Sequence, residues 1–445
     1  MMAFIDRHEC SSFNRKIYLL MQVFTYIFVL YAVTNLRKGG DLKHIIPYLG
    51  LFFTLFYLIK KKDFHLFSTP LFQTLTGYAL VSYLLVPFSF QPRYSFFALN
   101  AGVFSGFSLF ICIYAVTRTW GSANKMVIFF IILLALVVSA GYITYFADYA
   151  SDLPMLTSGP DHLRPNINKG LIKIRMHHNM FAWTVNLLLS FSFAYLALIR
   201  KEKKVFSLIV VLVIILSIFA VLLSLSRGGW FSLMLIAFLW IVFFSTWKLT
   251  LYKSIFAFFF FVIVLFLVLW FAVPAFKNRI IQTPQAIGTM QERTQIWIRT
   301  IKAIKGSPLV GWGYGNRISW DSQPVMLNKE NETELFVKLG PHAHNTVLQV
   351  LFHQGVICLF FFLWFMLTGF LSVIRALKTC SGRLKLLYYA VFCVFVSIFL
   401  IHGLIEVIPF VLICLVMGFF SGTMQVRDSD RRRGEVPLCS NQVSV

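Results

Sequence analysis

The sequence predicts an all-α polytopic membrane protein with about twelve transmembrane helices. Three observations predict this fold class: 58% of the 445 residues are hydrophobic, 50 residues are phenylalanine, and only 13% are charged. Soluble domains carry roughly 25% charged residues. About 20 consecutive apolar residues span a bilayer as a helix, because the backbone finds no other hydrogen-bonding partner in lipid.

The predicted spans follow one another through most of the chain. In order they are 17–36, 44–60, 70–88, 96–117, 125–146, 177–199, 205–225, 229–246, 254–274, 346–374, 386–402 and 405–422. The first span has no small-residue cleavage site after it and is therefore predicted to remain as a helix. We expect a single integral membrane domain over 1–445.

The distribution of basic residues predicts the orientation. More than half of the 40 lysines and arginines lie in the terminal segments and in short loops on the same side as the N-terminus. The positive-inside rule places that side in the cytoplasm. Both termini are then cytoplasmic, and 423–445 is a cytoplasmic tail.

Two loops on the opposite face, 147–176 and 275–345, are long enough to be expected to fold or function. The second loop, between spans 9 and 10, is predicted to be a subdomain with an amphipathic helix at about 290–305. Thr289 and Glu292 have capping-box spacing at its start. Its predicted apolar face carries Ile296, Trp297, Ile301 and Ile304. A helix lying on the membrane surface would show the same pattern.

Charge and cysteine placement narrow the function. The seven cysteines avoid the predicted outer loops, and we find no zinc spacing, P-loop or Gly-x-Ser-x-Gly motif. We therefore expect no cofactor, metal or nucleic acid. Anionic lipid accounts for the cytoplasmic share of the net charge of +23. The cations of the outer face remain to be explained and point to an anionic ligand.

Two arginines are candidates for binding that ligand. Arg227 lies between Ser226 and the pair Gly228-Gly229, where two outward-facing span ends meet. The glycines allow close approach, and the planar guanidinium suits phosphate, although an arginine at a helix end also reaches lipid headgroups. Arg293 lies in the first turn of the loop helix, where an anion is favoured; a solvated helix face is the alternative. For the aromatic run 311–316, a structural turn is favoured over sugar stacking.

His344 closes the long loop at the mouth of a span. A histidine side chain ordinarily titrates near pH 6.5, which suits a general base, although a structural histidine is the commoner case. His402 and Glu406 have i,i+4 spacing near an outer helix junction and indicate either a function or a helix-packing hydrogen bond. Arg175 lies at the basic end of the first long loop.

Several motifs together resemble the bacterial O-antigen ligase and polymerase superfamily. In family order they are Ser226-Arg227-Gly228, Glu292–Trp297 leading into Gly306–Gly313, and His344-Asn345-x9-Gly355. The third residue after Gly355, small or glycine in the ligases, is Cys358. The resemblance implies an inner-membrane, GT-C-like enzyme that takes glycan from undecaprenyl diphosphate at the periplasmic face. In the ligase branch the acceptor is lipid A–core, and no metal or nucleotide is used.

On this resemblance, Arg227 and Arg293 are expected to bind the diphosphate, and His344 is expected to be the catalytic base of an inverting transfer. Asn345, Glu406 and Arg175 are secondary candidates. A polymerase or a protein O-oligosaccharyltransferase would use the same donor with another acceptor. Outside the enzyme class, a lipid-intermediate transporter would place buried charges near mid-span, whereas most of the charge here lies at one face.

Overall fold

The protein is a bundle of long apolar helices in the computed structural model. The residues described are 12–34, 42–151, 166–167, 174–199, 204–245, 287–315, 343–404 and 406–432, with single positions between some of these ranges. Because the spans are apolar on most faces, hydrogen bonding within each helix is the arrangement that lipid permits.

Six helices precede the first long loop. They are α1 (Ser12–Thr34), α2 (Leu42–Lys60), α3 (Pro70–Leu84), α4 (Pro92–Leu99), α5 (Ser105–Val116) and α6 (Trp120–Ser151). Short 3-10 turns occupy His65–Ser68 and Val86–Phe88. A π-helical turn, Asn100–Phe104, joins α4 to α5, so that Pro92–Val116 forms one continuous apolar rod.

The remaining elements surround the candidate site. They are β1 (Asn166–Ile167), β2 (Ile174–Arg175), α7 (His178–Ile199), α8 (Lys204–Leu223), α9 (Arg227–Phe244), α10 (Ile287–Ile304), α11 (Thr346–Thr379), α12 (Gly382–Val394) and α13 (Phe410–Arg432). The helix of α12 continues through a π segment, Phe395–Ile401, into a 3-10 turn, His402–Leu404. The strands β1 and β2 pair antiparallel.

Most of the predicted spans correspond to helices. Within the described ranges, nine helices are long and apolar enough to cross a membrane, and two shorter apolar helices, Ile45–Lys60 and Phe410–Val426, accompany them. Together these match every predicted span except 254–274, of which the structure describes only isolated positions. The chain is a multi-pass helical membrane protein, while the count of twelve spans and the 275–345 loop subdomain stay predictions.

Contacts between distant segments define the core of the bundle. Helix α13 packs along α5, α11 along α3, and α12 along α7. Of the nine candidate spans, α7 is the most buried, with 78% of its apolar window inside the protein. Its first turn contributes Asn179 to the candidate site.

The amphipathic loop helix is present, and its buried face agrees with the predicted one in part, since Ile304 is buried and Ile301 is not. Helix α10 packs against α11 through Ala303 and Ile304, and Thr300 is also buried. Ile301, predicted to share the apolar face, is 47% exposed. Ile296 and Trp297 are partly buried. This helix therefore packs against the bundle and is not only a surface helix.

A break in α11 joins the loop after α10 to the bundle. Gly355 has φ 71° and ψ −177° inside the helix. The carbonyls of Phe352 and His353 accept hydrogen bonds from the backbone N–H groups of Trp312 (3.0 Å) and Gly313 (2.8 Å). A Cβ at Gly355 would lie 2.2 Å from the carbonyl oxygen of Leu309. The loop after α10 therefore crosses α11 at a point where only glycine fits. We call this contact the crossing, and it fixes the first turns of α11.

Substituting alanine for Gly355 should destabilise the protein. The left-handed φ alone costs on the order of 1–3 kcal/mol, and the collision with Leu309 adds to it. We expect a lower melting temperature in detergent and less folded protein after gel filtration. Gly121→Ala is the matched control, because a Cβ there meets nothing within 4 Å. Equal melting temperatures for both variants would contradict the proposed crossing.

Candidate active site

The carboxylate of Glu406 is the centre of a cluster at one end of the bundle. One oxygen, Oε1, accepts hydrogen bonds from Arg293 Nη2 (3.1 Å) and Asn179 Nδ2 (2.8 Å). His344 Nδ1 lies 3.2 Å from both carboxylate oxygens. These three partners come from α10, α7 and the turn before α11. The cluster therefore joins segments that lie far apart in the sequence.

The turn that carries His344 is held on both sides. His344 has φ 47°, which is uncommon for a residue other than glycine. Asn345 caps α11 by accepting a hydrogen bond from Leu348 N (2.9 Å), and its Nδ2 donates to Leu404 O (3.0 Å). The N–H of Ala343 donates to the side chain of buried Gln349 at 2.6 Å. This turn places the imidazole against Glu406 instead of continuing the helix.

The segment that carries Glu406 is fastened to the same end of α11. Thr346 Oγ1 donates to the carbonyl of Glu406 (3.0 Å) and accepts from Ile408 N (3.1 Å). The N–H of Glu406 donates to the carbonyl of His402 (2.9 Å). Backbone bonds on both sides therefore fix the carboxylate beside the first turn of α11.

Arg227 is connected to the cluster through Ser226 and Asn179. It is the first residue of α9, and Ser226 caps that helix by accepting a hydrogen bond from Gly229 N at 3.2 Å. Ser226 Oγ also donates to Asn179 Oδ1 (2.7 Å). Asn179 thus joins the cap of the Arg227 helix to Glu406. The predicted residues Arg227, Arg293, His344, Asn345 and Glu406 all lie at this end of the bundle.

The site holds a negative centre between basic groups. Burial raises the pKa of Glu406, but the hydrogen bond and charge of His344, with the charges of Arg293 and His402, outweigh burial and lower the pKa to about 2. Glu406 is consequently ionised at neutral pH. The side chains of Arg293 and His344 are 28% and 29% exposed, twice the 14% of Glu406. A ligand at this surface therefore meets the two basic side chains before the carboxylate.

His402 and Glu406, which were predicted as a pair from their i,i+4 spacing, have different roles. The ring of His402 turns into the bundle, where Nδ1 lies 3.3 Å from Ser232 Oγ, as a helix-packing residue does. Glu406 instead points to His344. For Arg175, β2 pairs the backbone with Asn166, and the side chain lies outside the described residues. Among the described residues, no cluster of His, Cys, Asp or Glu could hold a metal ion.

Sequence reasoning missed Asn179 and Thr346. Asn179 has two neighbouring histidines and follows the basic end of a long loop, so its place at a span mouth was the only available signal. Thr346 follows the His344-Asn345 motif directly. The motif does not indicate that the next side chain holds the distant segment around Glu406. Both residues act through contacts that only the folded bundle creates.

The fold and this site define a multi-pass helical membrane protein with basic side chains grouped around Glu406 where its spans end. Residues 211–363 match the family model O-antigen ligase, and this match supports membership of the O-antigen ligase and polymerase superfamily. Members of that family are glycosyltransferase-like ligases and polymerases. No curated protein matches the chain. The matched segment contains Arg227, Arg293, His344 and Asn345, whereas Asn179 and Glu406 lie outside it.

The depressed pKa of Glu406 predicts how acid affects stability. The pKa is about 2 in the folded protein against an ordinary 4.5. Glu406 therefore contributes stability that is fully present above about pH 4.5 and is lost as the pH falls towards 2. Glu406→Gln should melt below the wild type at pH 7, and this difference should narrow between pH 4.5 and pH 3 in detergent melts. A difference that stays constant down to pH 3 would contradict the assigned ionisation.

Proposed function

We propose that this protein is an O-antigen ligase, which transfers a glycan from undecaprenyl diphosphate to a sugar hydroxyl of lipid A–core. The cluster of His344, Glu406 and Arg293 carries this proposal. It combines a base, a carboxylate that orients the base, and a cation at the mouths of several spans. A lipid-linked diphosphate presents its reactive sugar at that level of a membrane. The family match to residues 211–363 supports the same class of chemistry.

Arg227 and Arg293 would bind the diphosphate of the donor. Arg293 uses Nη2 to bond Glu406, and a guanidinium carries five N–H donors, so this bond is compatible with simultaneous contacts to phosphate oxygens. Arg227 begins α9, where the backbone N–H groups and the helix dipole add positive potential. Both groups stabilise the negative charge that develops on the leaving diphosphate.

His344 would be the general base. A hydrogen bond from Nδ1–H to the Glu406 carboxylate places the imidazole proton on Nδ1 and makes Nε2 the basic nitrogen. Nε2 takes the proton of the acceptor hydroxyl while the hydroxyl oxygen forms a bond to the anomeric carbon. The bond from that carbon to the diphosphate breaks, and the diphosphate leaves with the electron pair. Glu406 stabilises the resulting imidazolium, and the single displacement inverts the anomeric configuration.

The proposal also includes a membrane orientation. Both termini are cytoplasmic, and the site faces the periplasm of the inner membrane. The concentration of basic residues on the N-terminal side supports this orientation. The contacts of Asn179 with Ser226, and of Asn345 with Leu404, bring the span ends at the site together. This gathering of span ends supports a single donor entrance at one face.

Replacing His344 by alanine should remove transfer while the protein stays folded. General base catalysis contributes on the order of 10²–10⁴-fold, so we expect a loss of that size. The measurement is glycan transfer by purified, reconstituted protein from undecaprenyl-diphosphate glycan to rough lipopolysaccharide. His65→Ala is the control, since His65 lies in a turn between α2 and α3, away from the cluster. Near-normal transfer by folded His344→Ala would refute the role of base.

The acceptor in the same assay separates the proposed ligase from a polymerase. A ligase elongates rough lipopolysaccharide, whereas a polymerase joins lipid-linked repeat units to one another. Wild-type transfer to the lipid-linked repeat alone would replace the ligase assignment by the polymerase one.

Arginine-to-lysine exchanges test the diphosphate contacts. Lysine keeps the charge but lacks the planar fork that binds two phosphate oxygens at once. Arg227→Lys and Arg293→Lys should each lower kcat/KM for the donor by at least tenfold. Arg375→Lys, an exposed site near the far end of α11, should change nothing. Full activity in both test variants would indicate simple membrane anchoring by these arginines.

A further inference from the structure

A cavity between α3, α11 and α13 is a second feature of the end of the bundle that holds the candidate site. Its volume is ≈ 140 Å³. A protein cavity of about 150 Å³ holds a molecule the size of benzene. Thr346 and Val407 form part of its wall. Because Thr346 is also hydrogen-bonded to the carbonyl of Glu406, the cavity lies beside the backbone segment that carries that carboxylate.

The lining, in which His353 is the one basic side chain, disfavours a charged occupant. No lysine, arginine, aspartate or glutamate lines the cavity, and an unpaired charge in such surroundings is costly. The walls are mostly aromatic and aliphatic, with a few buried amide and hydroxyl groups. Gln354 has its amide fixed, because it accepts a hydrogen bond from Tyr78 (2.8 Å) and donates one to Ser82 (2.7 Å). Apolar walls with a few oriented polar groups are typical of sites for neutral small molecules.

The cavity and the basic residues approach Glu406 from different elements. Arg293 and Asn179 reach its side chain from α10 and α7, whereas the cavity lies towards α3 and α13. A donor diphosphate requires the side with cations. The neutral side is therefore suited to the other reactant, which offers an uncharged ring with hydroxyl groups.

We propose that this cavity binds one neutral sugar ring of the acceptor, next to the ring whose hydroxyl reacts. The inference rests on the proposed function, because it assigns the second substrate of the same site. A ring held here orients the acceptor while its neighbouring hydroxyl meets His344. Tyr314, which belongs to the aromatic run 311–316, lines the cavity, so this run serves both the crossing with α11 and the acceptor subsite.

Filling the cavity tests the inference. Val350 lines it from α11, and Val350→Leu and Val350→Phe add volume in two steps. We expect the KM for rough lipopolysaccharide to rise in that order, by at least tenfold for phenylalanine, with the KM for the donor unchanged. A deacylated core oligosaccharide as acceptor should show the same increase. Val205→Phe, at a side chain 75% exposed on α8, is the matched control and should behave as the wild type.

Each other outcome overturns the inference in a distinct way. An increase confined to the donor KM would assign the cavity to the polyprenyl chain. An increase with rough lipopolysaccharide that vanishes with the deacylated acceptor would assign it to an acyl chain. Unchanged KM values with a raised melting temperature would show a simple packing void. The smaller leucine change keeps the test decisive if the phenylalanine variant fails to fold.

Failure of the proposed function itself is recognised separately. Wild-type protein that binds rough lipopolysaccharide in a thermal-shift assay but transfers nothing would refute the ligase while leaving the subsite standing. If Val350→Phe then bound rough lipopolysaccharide as well as the wild type does, the subsite would be refuted too. Wild-type protein that neither binds nor transfers would refute both.

Discussion

The arrangement of side chains at the candidate site depends on the negative charge of Glu406. A carboxylate that is largely removed from water needs partners that hydrogen-bond to its charged form. Arg293, His344 and Asn179 supply them from three different segments. The same contacts that stabilise the charge bring a cation and an imidazole to one surface. Stability and proposed chemistry therefore share the same few hydrogen bonds.

The backbone contact at Gly355 holds this arrangement in a fixed geometry. The break at Gly355 exposes carbonyls that the loop after α10 pairs with, and this contact fixes α11 relative to α10. Helix α11 then carries the His344 turn at its start, and α10 carries Arg293. The two basic side chains are thus held at a set distance before any ligand arrives. Catalysis by oriented charges benefits from such preorganisation.

The sequence was sufficient to predict the class of fold and to name several residues that the structure brings to one end of the bundle. Long apolar runs must become helices in lipid, which is why the spans around α7 and α11 were predictable. Arg227, Arg293 and His344 were recognisable because local motifs surround them. The partner of His344 was not, because Glu406 is 62 residues away and its i,i+4 spacing pointed to His402. The buried face of α10 was predicted only in part, because Ile304 is buried as expected, whereas Ile301 is exposed and Thr300 and Ala303 are buried.

The configuration of the transferred glycan tests the central claim most directly. The account predicts that His344 activates an acceptor hydroxyl for one direct displacement of the diphosphate. Wild-type protein would be supplied with undecaprenyl-diphosphate glycan of known anomeric configuration and rough lipopolysaccharide, and NMR would assign the new glycosidic bond. The account predicts an inverted anomeric centre in the product. Retention of configuration would require a covalent intermediate that this account does not contain, and would contradict it.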